Sequence, residues 1–177
     1  MSLGAQLEQL FEQALEEIRR MPGTGAAALS DSVPTSRFIP RLQLRAALWN
    51  RTQATGCKNV TRTVTPEYFR ALVVSIVEGR VFQEQDRHCG GEDLMIVNEK
   101  LAKRLFPGEQ PAGHRVPFSG QVKYAVIGVA ADVKNANLTG KDAPEYYLLR
   151  RKTPEYGRRR AHILIRSSAD PATLAAH

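Results

Sequence analysis

The apolar residues of this chain fall into short runs, and this feature limits most strongly what it can fold into. The longest run, from Tyr124 to Ala131, is interrupted only by Gly128, whereas a membrane-spanning helix needs about 20 apolar residues. Since 42% of the 177 residues are hydrophobic, the chain can bury a core, either as one domain or as two small lobes. The runs predict short strands and helices rather than a membrane-spanning segment.

Helical and extended patterns alternate irregularly along the chain. The apolar residues between Leu7 and Met21 lie on one stripe of a predicted helix, which Pro22-Gly23 ends. Strands are predicted at Ala26 to Leu29, Arg41 to Trp49, Cys57 to Val64, Val73 to Val77, Leu94 to Val97, Val116 to Phe118, Val122 to Val133, Tyr146 to Leu149 and His162 to Ile165. Because no regular βαβα order emerges, the pattern favours the α+β class over a doubly wound fold.

Two short helices have recognisable start signals. Thr65 can cap a helix that has Pro66 at its first position, and Asn98 can cap a second one. The inward faces of these helices and the central strand supply predicted core residues, which are Tyr68, Phe69, Leu101, Phe106 and the strand from Val126 to Val129. Gly128 inside that strand indicates a bend or a close approach of another backbone segment.

The positive charge of the chain is local. The formal net charge is +7, yet seven of the 25 basic residues lie between Arg150 and Arg166, where Glu155 is the single acidic residue. The flanking strands predict a basic hairpin over 150–166. Six side chains of this segment form a predicted interaction patch: Arg150, Arg151, Lys152, Arg158, Arg159 and Arg160.

A basic segment with tyrosines nearby is one form that a nucleic-acid contact can take, through phosphate-binding arginines and stacking rings. The same charge would suit anionic head groups or an acidic protein surface equally well. Since no known nucleic-acid-binding motif accompanies the segment, nucleic acid is not expected as a partner, and nucleic-acid binding through the hairpin stays an alternative hypothesis.

The polar residues offer no catalytic or metal-binding arrangement. Cys57 and Cys89 match no zinc spacing, and a disulfide between them stays open alongside two buried thiols. The cluster from Asp86 to Gly91 contains adjacent His and Cys residues, but adjacent side chains rarely converge, which favours a surface loop over a nucleophile. Without a phosphate-binding glycine loop either, we expect no cofactor, no metal and no enzymatic activity.

Several segments resemble one family in order and spacing. They are the helix and turn Glu16 to Gly23, the hexapeptide Val64-Thr65-Pro66-Glu67-Tyr68-Phe69, the segment Gly79-Arg80-Val81-Phe82 with Asp86 after it, Val97-Asn98-Glu99 through Gly108, and Pro144 to Leu148. Together they resemble the MacB-like extracytoplasmic (periplasmic) core domain of MacB/FtsX-type ABC-transporter permeases. The sequence departs from this pattern at Ala112, where a larger aliphatic residue is usual, and at Val73-Val74, where Leu-Gly is frequent.

The resemblance implies a two-lobed α+β fold. A porter-like α/β sandwich lobe would comprise 4–48 and 122–177, with its C-terminal part cut short, and an inserted β-rich, sabre-like lobe would comprise 49–121. A cleft between the lobes could bind a small ligand, which is a further alternative hypothesis.

The resemblance also implies a function. The domain would lie on the extracytoplasmic, periplasmic face of the cytoplasmic membrane, anchored by transmembrane helices outside this sequence. It would be non-catalytic and would couple the ATP-driven movement of those helices to a substrate or partner. The implied partners are the transmembrane helices of its own permease, a cytoplasmic ABC ATPase acting indirectly, and either a second permease protomer or a periplasmic adaptor.

Overall fold

The computed structural model describes residues 3–32, 60–88, 92–119, 122–133, 144–152 and 161–168. The helices are α1 (Leu3–Arg20), α2 (Tyr68–Ala71) and α3 (Glu99–Leu105), and one 3₁₀ turn covers Glu84–Arg87. The strands are β1 (Thr24–Ser30), β2 (Val60–Val64), β3 (Ile76–Gly79), β4 (Leu94–Asn98), β5 (Arg115–Ser119), β6 (Val122–Ala130), β7 (Glu145–Leu149) and β8 (His162–Ser167). No helix in these ranges is long and apolar enough to cross a bilayer.

The strands form one mixed sheet in the order β3-β6-β4-β7-β2-β1-β8, and β5 also pairs with β6. The pairs β2–β7 and β4–β6 are parallel, and the others are antiparallel. This mixture confirms the α+β class. The strand predicted as Val122 to Val133 is β6, which is the longest of the described strands and has partners on both of its edges.

The predicted basic hairpin over 150–166 is wrong. Its two flanking strands, β7 and β8, are not neighbours, because β2 and β1 lie between them in the sheet. β7 pairs with β4 and β2, whereas β8 pairs with β1. The sequence pattern located both strands, but strand pairing depends on contacts between distant parts of the chain, which local patterns do not contain.

The described strands of the two predicted lobes share this sheet. β2, β3 and β4 come from the range 49–121, and they are hydrogen-bonded to β1, β6 and β7 from the other range. The boundaries of the lobes stay a prediction, and the strand predicted at Arg41 to Trp49 lies outside the described residues.

The cap predicted at Thr65 is wrong, whereas the one at Asn98 is confirmed. The Leu29 N–H donates to Thr65 Oγ1 at 2.9 Å, and the Thr65 N–H donates to the Leu29 carbonyl at 3.0 Å. The hydroxyl of Thr65 thus joins β1 to the end of β2, and α2 begins without a side-chain cap. Asn98 Oδ1 accepts from the Leu101 N–H at 3.0 Å, as a helix N-cap does.

The strand predicted at Val73 to Val77 begins later, at Ile76. Val73 lies in the turn after α2 with a φ of 57°, which is the left-handed region that a β-branched side chain seldom adopts. The side chain of Val73 is 67% exposed. The predicted strand therefore began on a residue whose backbone cannot belong to one.

Sequence segments that resemble the family contribute aromatic and aliphatic residues to the core. The rings of Tyr68, Phe69, Phe82 and Tyr147 contact one another on one face of the sheet, with centroids 5.0 to 6.3 Å apart. On the other face, Leu101 of α3 and Phe106 directly after α3 pack against β4, β6 and β7. Because the predicted core residues Tyr68, Phe69, Leu101, Phe106, Val126 and Val129 are all buried, their structural assignment is confirmed.

Candidate functional site

The described part of the predicted interaction patch is bound to the domain itself. Arg150 follows β7 directly and is only 4% exposed. Its Nε donates to Glu8 Oε1 at 2.8 Å, and its guanidinium lies 5.7 Å from the centre of the Phe11 ring. Both of these partners belong to α1, so Arg150 connects the first helix to the end of a central strand.

The next two basic residues also have acidic partners. Arg151 lies 3.1 Å from Asp93, which precedes β4, and donates to the Glu92 carbonyl at 2.7 Å. The Lys152 ammonium lies 2.9 Å from Glu84 in the 3₁₀ turn. Arg158, Arg159 and Arg160 lie outside the described residues, so an interaction patch made by them stays a prediction.

Arg87 is the centre of this network, and sequence reasoning missed it. The sequence pattern favours a surface loop for the segment that contains it, but the Arg87 side chain is fully buried. Its Nε donates to the Arg150 carbonyl at 2.8 Å, its Nη1 donates to Glu84 and Glu12 at 3.0 Å, and its Nη2 also bonds Glu12. One guanidinium thus joins α1, the 3₁₀ turn and the end of β7.

The spacing of the acidic residues on α1 is the sequence signal that could have shown this arrangement. Glu8, Glu12 and Leu15 are separated by four and three residues, which places them on one face of a helix. Leu15 is fully buried with Ala27 and Leu29 of β1, and Phe11 and Ile18 pack beside it. The two carboxylates therefore lie on the face of α1 that contacts the sheet.

Burial and charge act in opposite directions on Arg87. Burial lowers the pKa of its guanidinium, but the hydrogen bonds and charges of Glu12 and Glu84 outweigh burial and raise that pKa. For Glu84 the two effects also oppose each other. Burial raises the pKa of its carboxyl, but the hydrogen bond from Lys152 and the charge of Arg87 outweigh burial and lower that pKa. The charged forms of Arg87 and Glu84 are therefore both stabilised. Removing a carboxylate that the buried Arg87 contacts should be costly, because it leaves a buried charge without its partner.

A second buried ion pair lies between β2 and β7. Arg62 bonds Glu145, and both side chains are at most 2% exposed. Arg62 Nη1 also donates to Ser32 Oγ at 3.1 Å, and Asn98 Oδ1 accepts from the Glu145 N–H at 2.9 Å. This pair joins the end of β1, the parallel strands β2 and β7, and the start of α3.

Several open grooves mark the surface of the described residues. One of about 570 Å³ runs between the end of α1, α2 and the residues around Phe82, with Arg19, Glu67, Arg70 and Glu84 at its edges. The charges of its described lining residues are balanced, and Arg70 is bonded to the Gly25 carbonyl. The hypothesis of a small ligand in a cleft between lobes stays a prediction. No group of three His, Cys, Asp or Glu side chains in the described ranges is arranged to hold a metal ion.

Sequence comparison gives one match over almost the whole chain. The profile described as "MacB-like periplasmic core domain" matches residues 3–177. The macrolide export ATP-binding/permease protein MacB of Bartonella henselae is 29% identical over 124 residues, which are 69% of this chain and 18% of that protein. The probable syringafactin export ATP-binding/permease protein SyfD of Pseudomonas syringae pv. tomato is 32% identical over 78 residues, which are 44% of this chain and 11% of that protein. The chain thus spans less than a fifth of the length of these relatives.

Solved structures show the same fold at low sequence identity. The extracellular domain of the noncanonic ABC-type transporter YknZ from Gram-positive bacteria has a TM-score of 0.61 at 16% identity, covering 93% of this chain and 76% of that one. The periplasmic region of MacB from Actinobacillus actinomycetemcomitans has a TM-score of 0.50 at 17% identity, covering 93% of this chain and 84% of that one.

Proposed function

This chain belongs to the family of MacB-like periplasmic core domains, and we propose that it couples ATP-driven movement of membrane helices to a substrate or partner outside the membrane. In this proposal it is a non-catalytic, extracytoplasmic part of an ABC-transporter permease. Membrane helices of the same permease would anchor it, and an ABC ATPase on the cytoplasmic side would act on it indirectly.

The attachment of α1 to the sheet is the observation that carries the proposal. In a permease of this kind a membrane helix precedes the domain, so α1 would be the first element to receive its movement. α1 contacts the sheet through apolar packing around Leu15 and through the pairs Glu8–Arg150 and Glu12–Arg87. A helix held by both kinds of contact moves with the sheet rather than sliding over it.

The arginines that α1 contacts are connected to the end of a central strand, which can transmit a movement of α1 to the sheet. Arg150 follows β7, and Arg87 donates to the Arg150 carbonyl. β7 has β4 on one edge and β2 on the other, so a displacement of its end reaches the middle of the sheet. The proposal thus assigns the charged network a mechanical role rather than a chemical one.

The test uses the parent permease with its ATPase in lipid nanodiscs. A nitroxide on the exposed Lys123 of each protomer reports the distance between two copies of the domain, with and without ATP. We expect ATP to shift this distance in the parent protein. A variant with both Glu8→Gln and Glu12→Gln should keep its ATPase rate but lose most of the shift, because α1 is no longer ion-paired to the sheet.

The matched control carries Glu16→Gln and Glu17→Gln. These glutamates also lie on α1, but they pair with Arg19 and Arg20 of the same helix, so the ATP-dependent shift should remain. The proposed location has its own test, since alkaline phosphatase fused after Ser168 is active only outside the cytoplasm. An inactive fusion, or a distance that ATP does not change, would contradict the proposed function.

A further inference from the structure

A groove with an apolar floor lies where the edge strand β3 meets α3. Its volume is about 280 Å³. The floor is formed by Ala102 of α3, by Phe106 directly after α3 and by Val129 of β6, and Val77 of β3 forms one wall. Val77 is 54% exposed although it belongs to a strand, so a large aliphatic side chain faces solvent beside an apolar floor. We call this surface the β3–α3 groove.

The rim of the groove is acidic in a chain that is strongly basic. Among the described residues that line it are Glu78, Glu99 and Glu109, and Lys103 is the single basic one of that described set. Lys103 lies 4.0 Å from Glu99 and is 80% exposed, so it compensates little of the rim's charge. The net charge of the described lining residues is thus opposite in sign to the +7 of the whole chain.

The described contacts of the other two glutamates each use one carboxylate oxygen. Glu78 Oε1 accepts from the Ala112 N–H at 3.3 Å, and Glu109 Oε2 lies 3.4 Å from the His114 imidazole. A carboxylate offers about four acceptor positions on its two oxygens. Each therefore retains positions for a cationic donor.

The edge of β3 argues against a partner that adds a strand. β3 has four residues, its pairing with β6 contains an irregularity between Ile76 and Glu78, and it ends at Gly79 with a φ of 72°. Short, bulged edges are the features with which proteins prevent strand addition. The groove is therefore better suited to receive side chains than a new strand.

We propose that the β3–α3 groove binds a short basic segment of a partner protein, with an aliphatic side chain on the apolar floor and Lys or Arg residues on the glutamate rim. The proposal specifies which kind of partner the proposed coupling domain binds. It rests on the proposed function only in placing that partner outside the membrane. A second copy of this chain is a weaker fit, because a contact between a groove and a different surface of an identical chain does not close into a dimer.

The test measures binding to the whole 177-residue chain and does not depend on transport. Three fluorescein-labelled nonapeptides carry a central leucine flanked by four lysines, four glutamines or four glutamates, with glycine elsewhere. We expect the lysine peptide to bind in fluorescence anisotropy, the glutamine peptide to bind about tenfold more weakly, and the glutamate peptide not to bind. Replacing the leucine by glycine in the lysine peptide should weaken binding as well.

Variants of the chain locate the site. Glu78→Gln with Glu109→Gln should weaken the binding of the lysine peptide about fivefold to tenfold. Val77→Ser should weaken this binding without changing its dependence on salt concentration. Glu16→Gln with Glu17→Gln removes two exposed carboxylates on α1 and should change nothing. Circular dichroism confirms that each variant is folded.

Three results would overturn the proposal: no binding of the lysine peptide with a Kd below about 1 mM, equal binding of all three peptides, or binding that the groove variants leave unchanged. Sedimentation velocity tests whether a second copy of the chain occupies the groove instead of a basic segment. Self-association that Glu78→Gln with Glu109→Gln abolishes would assign the groove to another copy of the chain instead. Failure of these peptides leaves the ATP-dependent distance test of the coupling function unaffected.

Discussion

Gly79 and Gly128 face each other across the pair of strands β3 and β6, and neither has room for a side chain. A Cβ on Gly128 would lie 2.5 Å from the Arg80 carbonyl oxygen, and a Cβ on Gly79 would lie 2.8 Å from Gly128 Cα. Real Cβ contacts are not this short. The sequence pattern indicates a bend or a close backbone approach at Gly128, and the close approach is confirmed.

The variant Gly128→Ala should therefore separate β3 from β6. We expect the free energy of unfolding to fall by about 3 kcal/mol, because the atoms in the way are backbone and cannot rotate aside. Urea denaturation measures this change. The control is Gly25→Ala, whose added Cβ would meet the Arg166 carbonyl oxygen at an ordinary 3.4 Å and should change stability by about 0.5 kcal/mol or less. Equal effects of the two variants would contradict the assignment.

Val73 offers a stabilising substitution. Its φ of 57° costs about 1–2 kcal/mol for a residue with a side chain, and its exposed side chain contributes little buried area. Val73→Gly should raise the free energy of unfolding by about 0.5–1 kcal/mol after the added flexibility of the unfolded chain is subtracted. Thermal unfolding should show the gain, whereas Val77→Gly in β3 should lower stability. A loss of stability for Val73→Gly as large as that for Val77→Gly would contradict this prediction.

The buried pair Arg62–Glu145 should show strong coupling. Arg62→Met leaves the Glu145 carboxylate buried without its cation, which should cost about 3–5 kcal/mol. Arg62→Met combined with Glu145→Met removes both charges, and most of that loss should be recovered because methionine fills a similar volume. A double-mutant cycle in urea measures the coupling. Effects of the two single variants that simply add would show that the charges do not interact.

The pair Arg80–Asp86 predicts a pH dependence. Burial raises the pKa of the Asp86 carboxyl, but the hydrogen bonds from Arg80 and from the Gln83 N–H lower it overall. A carboxyl with a lower pKa in the folded than in the unfolded chain stabilises the fold above its unfolded pKa of about 3.9. This contribution is lost as the pH falls through the folded pKa.

Asp86→Asn should accordingly be less stable than the parent chain near neutral pH, and the difference should shrink as the pH falls below about 4. Urea midpoints at a series of pH values measure it. Glu17→Gln, at an exposed position of α1, is the control and should follow the parent chain throughout. A difference that stays constant down to about pH 2 would mean that the charge of Asp86 is not the cause.

Elements with local signals could be predicted from the sequence. The apolar stripe of α1, the Pro22-Gly23 turn after it and the Asn98 cap of α3 are each encoded within a few residues, and the structure has all three. The Thr65 hydroxyl also had a local interpretation, as a helix cap, but it bonds Leu29 instead. The partner of a hydroxyl group depends on which strand lies beside it, and the local pattern does not contain that information.

The site was predictable only in part for the same reason. The basic residues Arg150, Arg151 and Lys152 were identified from the local charge of their segment. The carboxylate that binds Arg150 belongs to Glu8, 142 residues earlier in the chain, and the hub of the network is Arg87, whose burial no sequence pattern indicated. Pairing across such distances is determined by the tertiary fold, which brings the end of β7 within reach of a side chain of α1.

The pairing of β1 with β8 determines when this domain can fold. Ala27 is opposite Ile165, so the first strand of the chain receives its longest pairing from the last described one. Contacts between such distant residues slow folding, because the long intervening segment must be closed before they are formed. During synthesis, β1 emerges from the ribosome long before β8 exists, with one edge unpaired for most of that time. A chain stopped before His162 would lack that partner altogether, so a truncation that removes β8 should give a product prone to aggregation although α1 is intact.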